Sequence, residues 1–284
     1  MKEKGKLRKR LESAANEHIS VVIVYLVLRV LVIVPMVFAL TQGNYESFFV
    51  CVLVLVLFLL PNFVERTLKI ELPSVLEIVI LLFIFAAEIL GELQNFYLRF
   101  PNWDLILHTV TGFICAAFGF SLVDLFNRNE KFGLKLSPFY LVIVAFCFSM
   151  TIGVLWEFFE FTADYFFHLD MQKDTVLNSI TSVALDSTNS NIPVTIKGIT
   201  DVAVNGESLG LGGYLDIGLF DTIEDLFVNF VGAVIFSVVG FFYIKNRGQG
   251  KFLKLIIPRV RDEKKHARKS GKKTDGEAAG ENVE

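Results

Sequence analysis

Residues 156–164 read WEFFEFTAD, which puts Glu157, Glu160 and Asp164 at the end of an apolar run, SPFYLVIVAFCFSMTIGVL, without Asp, Glu, His, Lys or Arg. Their i, i+3, i+7 spacing confines all three carboxylates to one narrow face of a helix. Other apolar segments carry similar sets. Glu88 and Glu92 lie four apart, Asp104 and His108 lie four apart in WDLILH, and Asp221, Asp225 and Asn229 share one face of DTIEDLFVNFVGA. A carboxylate-rich set with one imidazole suits a hard or borderline divalent ion such as Mg²⁺, Mn²⁺ or Zn²⁺. Glu157, Glu160, Asp104 and His108 are the first choice of ligands, with Asp164, Asp221, Asp225 and Asn229 as further ligands or orienting groups. Catalysis in such a centre would draw on Glu157 and His108, with Asp221 or Asp225 as the base. Without a metal, a pair of carboxyls with separated proton affinities could act as acid and base beside His108.

Each charged group placed in lipid costs at least ~2.5 kcal/mol, so such residues persist only by facing inward and finding partners. Burial and mutual repulsion together oppose ionising so many acids in one place without compensation. The compensation would be a divalent ion, protons, His108 as imidazolium, or one of the two nearby arginines, Arg29 and Arg99. A hydrogen-bonded network that keeps helices in register is the structural alternative.

The surrounding sequence identifies the elements that must carry these groups. Of 284 residues 53% are hydrophobic and 29 are Phe, more than the core of a soluble chain of this length requires. Apolar windows of roughly 20 residues, enough to cross about 30 Å of hydrocarbon, fall near 19–40, 47–64, 74–94, 104–126, 138–164 and 221–244. The net charge of −3 conceals a strong asymmetry: 23 Lys and Arg fall in the two termini and alternate connections, against Arg99, Lys173 and Lys197 on the opposite side. Basic flanks stay cytoplasmic, so both termini are expected there. The polar sets of four helices then fall at one extracytoplasmic layer. The first span is too long for a signal-peptide core and reads as a retained anchor. Cys51, Cys115 and Cys147 lie inside spans as small hydrophobes, with no disulfide or metal pattern.

Most connections are short, which predicts antiparallel packing in one bundle. The exception, 165–220, is rich in Ser, Thr, Asn, Asp and Gly and contains SNIPVTIKGITDVAVNGES. Alternating β-branched residues around VNGE predict one or two short hairpins. HLDMQKDTV at 168–176 echoes YLDIGLFDTI from 214, as if residues 175–213 had been inserted between two helix entries. The chain thus divides into a basic cytoplasmic start (1–18), helices one to five (19–164), an extracytoplasmic insertion (165–220), helix six (221–245) and a charged cytoplasmic tail (246–284), whose LIIPRV could lie along the membrane.

The pattern D-x3-H opening one helix, E-x2-E ending the next and D-x3-D-x3-N-x2-G opening the last resembles the VanZ-like family of bacterial membrane proteins and, more closely, YjdF-type inner-membrane proteins. The matching positions are Asp104 and His108, Glu157 and Glu160, then Asp221, Asp225, Asn229 and Gly232, within roughly residues 75–245. The resemblance implies a bacterial cytoplasmic-membrane location. Two departures stand against carrying over VanZ's role in glycopeptide resistance: Glu160 replaces the usual Gln, and the 165–220 insertion is long.

The expected fold is therefore an all-α polytopic membrane protein, a six-helix transmembrane bundle with a small extracytoplasmic β-hairpin insertion. The leading functional expectation is a metal-assisted hydrolase or transferase acting on a lipid-linked or cell-envelope substrate. The alternatives are a proton- or cation-coupled transporter, which would need the polar path to continue inward past largely apolar helix halves, and a non-catalytic envelope assembly protein binding through its insertion. Membrane lipids are the expected surroundings, and no nucleic-acid partner is expected.

Overall fold

The computed structural model describes residues 2–68, 70–128, 136–245 and 259–260. Among them, six helical segments are long and apolar enough to cross a membrane: Ile19–Thr41, Tyr45–Leu68, Ser74–Leu93, Trp103–Asp124, Pro138–Phe167 and Leu219–Lys245. The first belongs to α1 (Lys2–Thr41) and the fourth to α6 (Trp103–Arg128), while the fifth and sixth are α7 (Pro138–Phe167) and α8 (Leu219–Lys245). Four two-stranded antiparallel sheets accompany them among the described residues: β1 (Ile70–Glu71) pairs with β8 (Arg259–Val260), a pairing the sequence did not predict, and the other three lie in 165–220, where the alternating segments predicted short hairpins. Apart from 259–260, the expectations for the tail lie outside the described residues.

Two compact units can be distinguished. One comprises residues 1–103, 116–146 and 236–284, the other 104–115 and 147–235, so α6, α7 and α8 each contribute to both.

In the first unit, α1 packs on α2 (Tyr45–Leu57) and α4 (Ser74–Ile84). Val32, Cys51, Val54, Phe58, Leu76 and Leu81 are fully buried. Further along, the rings of Phe120 and Phe236 meet edge to face with centroids 6.0 Å apart.

Two spans depart from regular helices. The second is split into α2 and α3 (Leu60–Leu68). Pro61 lies in the first turn of α3, where its missing N–H and its ring would disrupt a continuous helix. The third passes from α4 into nine residues of π-helix, Phe85–Leu93, whose i→i+5 repeat differs from the α repeat. The four-residue spacing of Glu88 and Glu92 therefore does not define the expected α-helical face. Glu88 is half-buried and Glu92 exposed.

The second unit holds the insertion. Strand β2 (Thr175–Leu177) pairs with β7 (Tyr214–Asp216) in the register Thr175↔Asp216, closing its root within the two echoing segments. Inside that closure β3 (Ser179–Ser182) pairs with β4 (Val194–Lys197), and β5 (Ala203–Val204) with β6 (Glu207–Ser208). The β5–β6 turn places Asn205 at φ 55° and Gly206 at φ 88°. Two successive positive φ values define the tight hairpin turn that Asn-Gly favours.

Candidate metal centre

Helix α7 buries one stripe in the second unit: Ser149, Gly153, Glu157, Glu160 and Ala163 are buried, while Leu155, Phe158, Phe159 and Phe161 are exposed. Steps of three and four residues keep the first set on one side; the exposed aromatics face lipid. In this unit the buried positions on α8 are Asp225, Asn229, Gly232 and Ala233, and on α6 Leu107, His108, Gly112 and Ile114. All three faces converge within this unit.

Small residues make the convergence possible. A Cβ on Gly112 would collide with the Asn229 carbonyl oxygen, and one on Gly232 with the Thr109 carbonyl oxygen. The α6 and α8 backbones thus touch at two points one turn apart, as closely packed membrane helices do at small residues. A Cβ on Gly153 would lie 2.6 Å from Asn229 Nδ2. The Ser149 hydroxyl donates to the Gly112 carbonyl at 2.7 Å, linking α7 to α6.

One helical turn from this contact, toward the insertion, lies a set of acids. His108 Nε2 stands 3.5 Å from Asp104 Oδ1 and 3.6 Å from Asp225 Oδ2. Two ligand atoms on a tetrahedral ion with bonds near 2.1 Å are about 3.4 Å apart, so these separations suit shared coordination. One donor atom each from Asp104, His108 and Asp225 lies within 4.8 Å of the others, and Glu157, Glu160 and Asp225 form a second such triad. A coordination sphere spans about 4.2 Å for Mg²⁺ and up to about 5 Å for Ca²⁺, so a triad within 4.8 Å is on the scale of a single ion site.

Hydrogen bonding separates groups that could bind an ion from groups already committed. Among the described residues, both oxygens of Glu157 and both of Asp225 are buried without a hydrogen-bond partner, and so is Glu160 Oε2. The side chains of Thr222 and Gln172 approach Glu157, but no hydrogen bond closes on either carboxylate oxygen. Glu160 Oε1 accepts from Trp156 Nε1 at 2.9 Å, which fixes the carboxylate and leaves Oε2 free.

Asp164 is differently placed. Its Oδ1 accepts from the Met171 N–H at 2.7 Å and its Oδ2 from the Gln172 N–H at 2.8 Å. It belongs to neither triad and acts as a clasp for the chain leaving α7. Asp164→Asn should therefore leave metal content unchanged while loosening that turn by about 1–3 kcal/mol, read as faster limited proteolysis within 168–174. Loss of metal in this variant would return Asp164 to the ligand set.

Asp221 Oδ2 accepts from the Lys173 N–H at 2.8 Å, placing this half-buried acid beside the entrance of α8. Asn229 lies one turn beyond Asp225, with Nδ2 3.6 Å from Met150 Sδ and Oδ1 buried without a partner. Of the two arginines considered as counter-charges, Arg29 stacks over Tyr25 of its own helix at 4.4 Å, and Arg99 ends α5 (Phe96–Arg99). Both belong to the first unit.

The surroundings include residues that the spacing of acids did not reveal. Asp216 is buried and its Oδ2 caps α8 by accepting from the Phe220 N–H at 2.9 Å; an Asp shortly before a helix, followed by Gly218, was the available signal. Gln172 donates to Thr222 at 2.6 Å across 50 residues, a pairing without a periodic signature. At the loop, partial burial and the neighbouring Asp170, Asp216 and Asp164 push the Asp174 carboxyl above its usual range.

Residues 23–246 match the model of a family described as "Predicted membrane protein (DUF2238)". The chain belongs to this family. A similar protein from Thermotoga maritima, described as an uncharacterized protein, is 28% identical over 104 residues, covering 37% of this DUF2238 chain and 52% of that relative. The chain thus spans about half the length of the curated relative it matches. No solved structure matches. The narrower likeness to VanZ-like and YjdF-type proteins rests on the short motifs alone.

Proposed function

We propose that this DUF2238 protein is a membrane-embedded metal-dependent hydrolase or transferase whose centre is built from Asp104, His108, Glu157, Glu160 and Asp225. The observation carrying this reading is that Glu157, Glu160 and Asp225 bury carboxylate oxygens that accept no hydrogen bond among the described residues, and that one ligand atom of each lies within 4.8 Å of the others. In a low-dielectric site such groups need a counter-charge, and a divalent cation supplies two.

Such an ion would lower the pKa of a bound water and polarise a phosphoryl or acyl oxygen. The protein's contribution is to hold five donors on three helices, with Trp156 fixing Glu160. Asp221, tethered by Lys173 and outside both triads, is suited to take a proton, whereas Asp225 serves as a ligand. The basic flanks support a cytoplasmic-membrane setting with both termini inside, so the centre faces the envelope side and a lipid-linked or envelope substrate reaches it from there. The bacterial source of the relative agrees with that setting.

His108→Ala and Glu157→Ala, purified in detergent and shown to be folded, should each lose metal relative to wild type by elemental analysis. Metal content equal to wild type in both variants would remove this mechanism. Cation flux into liposomes without hydrolysis of any phosphate or acyl ester would favour the transporter.

A further inference from the structure

The five donors do not merge into one set. They resolve into two triads that have a single member in common, Asp225. One triad joins α6 to α8 through Asp104, His108 and Asp225; the other joins α7 to α8 through Glu157, Glu160 and Asp225. Asp225 is 1% exposed and, among the described residues, no group donates a hydrogen bond to either of its oxygens. A carboxylate serving a single ion through one oxygen would leave its other oxygen to a protein donor. Asp225 accepts no hydrogen bond on either oxygen, has only His108 Nε2 3.6 Å from Oδ2, and is the member shared by both triads, the condition expected of a group that offers one oxygen to each of two ions.

We infer that the centre is dinuclear: two divalent cations lie side by side, one held by Asp104 and His108, the other by Glu157 and Glu160, with the Asp225 carboxylate bridging them. This rests on the metal-centre reading above and makes it more specific. Paired ions about 3.5–4 Å apart clamp both the entering and the leaving oxygen of an in-line displacement. In-line displacement is the chemistry of phosphate esters, which makes them the substrate class this pair would serve, and a lipid-borne phosphate or diphosphate would present one to a centre inside the membrane.

The ligand division sets the hierarchy of losses. His108 serves one ion, so His108→Ala should retain the other. Asp225 serves both, so Asp225→Asn should lose the pair even though an amide of the same shape replaces it.

The experiment titrates Mn²⁺ into the full-length, chelator-stripped protein and reads bound metal per chain together with the electron paramagnetic resonance spectrum. Two Mn²⁺ per wild-type chain with an exchange-coupled signal, one uncoupled Mn²⁺ in His108→Ala and fewer than one in Asp225→Asn are expected. One Mn²⁺ per wild-type chain would overturn the dinuclear centre and leave the metal-dependent enzyme standing. None at all would overturn both. Two uncoupled ions that survive in Asp225→Asn would overturn the bridge. Should Asp225→Asn not fold, the loss of one ion and of the coupling in His108→Ala decides the same question.

Discussion

Adding one methyl group at Gly112 or Gly232 should destabilise the protein by about 1–3 kcal/mol or more, the cost of overpacking a tight contact, and should weaken metal binding without touching a ligand. The reason lies in what the new Cβ would meet. At Gly112 it is the Asn229 carbonyl oxygen, with the Asn229 carbonyl carbon 2.9 Å away; at Gly232 it is the Thr109 carbonyl oxygen, with the Phe113 amide nitrogen also at 2.9 Å. Backbone atoms cannot rotate aside as the end of a flexible side chain can, so α6 and α8 would have to part. His108 lies one turn from Gly112, and Asp225 one turn from Asn229. A parting of even 1 Å would widen the 3.6 Å gap between His108 Nε2 and Asp225 Oδ2 and spread one triad.

Gly240 provides the control on the same helix. A Cβ there would lie 3.6 Å from Phe236, 3.7 Å from Val142 and 3.9 Å from Phe120, ordinary contact distances. Gly240→Ala should be tolerated, or stabilise slightly through helix propensity. Thermal unfolding in detergent with Mn²⁺ titration of the three variants measures both effects. Equal stability and affinity in Gly112→Ala, Gly232→Ala and Gly240→Ala would show that the α6–α8 contact does not position the centre.

The site was legible in the sequence because an acid in an apolar span carries a large energetic penalty and therefore marks itself. Spacing and depth put Asp104, His108, Glu157 and Glu160 first, with Asp164, Asp221, Asp225 and Asn229 around them; the first four and Asp225 are the residues whose donor atoms fall into the two triads. Depth did not separate the acids of the two triads from a backbone clasp. Asp164 shares the face of Glu157 and Glu160, yet at the end of α7 its oxygens meet backbone N–H groups of the departing chain, which helical periodicity does not describe. The Asn-Gly hairpin was legible because its turn chemistry is local, whereas the β2–β7 closure joins strands some 40 residues apart. The π-helical turn at Phe85–Leu93 escaped for a related reason: FAAEILGEL satisfies an apolar α pattern, and packing decides its pitch. Gly112 is a small residue within an apolar span, but its partner on α8 could be found only by bringing two helices together.

Chelation should lower the melting temperature of the wild-type protein by on the order of 10 °C and invert the effect of Glu157→Gln. A ligand present at a thousand times its dissociation constant stabilises the folded state by about 4 kcal/mol, and each kcal/mol is worth about 2–4 °C in a chain approaching this size. With the ion removed, Glu157, Glu160 and Asp225 stay together in a buried site where, among the described residues, no hydrogen bond closes on the oxygens of Glu157 and Asp225. Replacing Glu157 by Gln keeps its shape and removes one acid, relieving a burden of at least ~2.5 kcal/mol per charged group in lipid. The chelated variant should therefore melt above the chelated wild type, while in excess Mn²⁺ the order reverses because the variant gains little from the ion. That crossing of sign distinguishes an ion-binding centre from a polar network that holds helices in register. In a network, Glu157 would contribute the same stabilisation whether or not metal is present, and Glu157→Gln would lower the melting temperature equally in chelator and in Mn²⁺. Finding that equality would assign these acids a structural role and leave the proposed chemistry without its ligands.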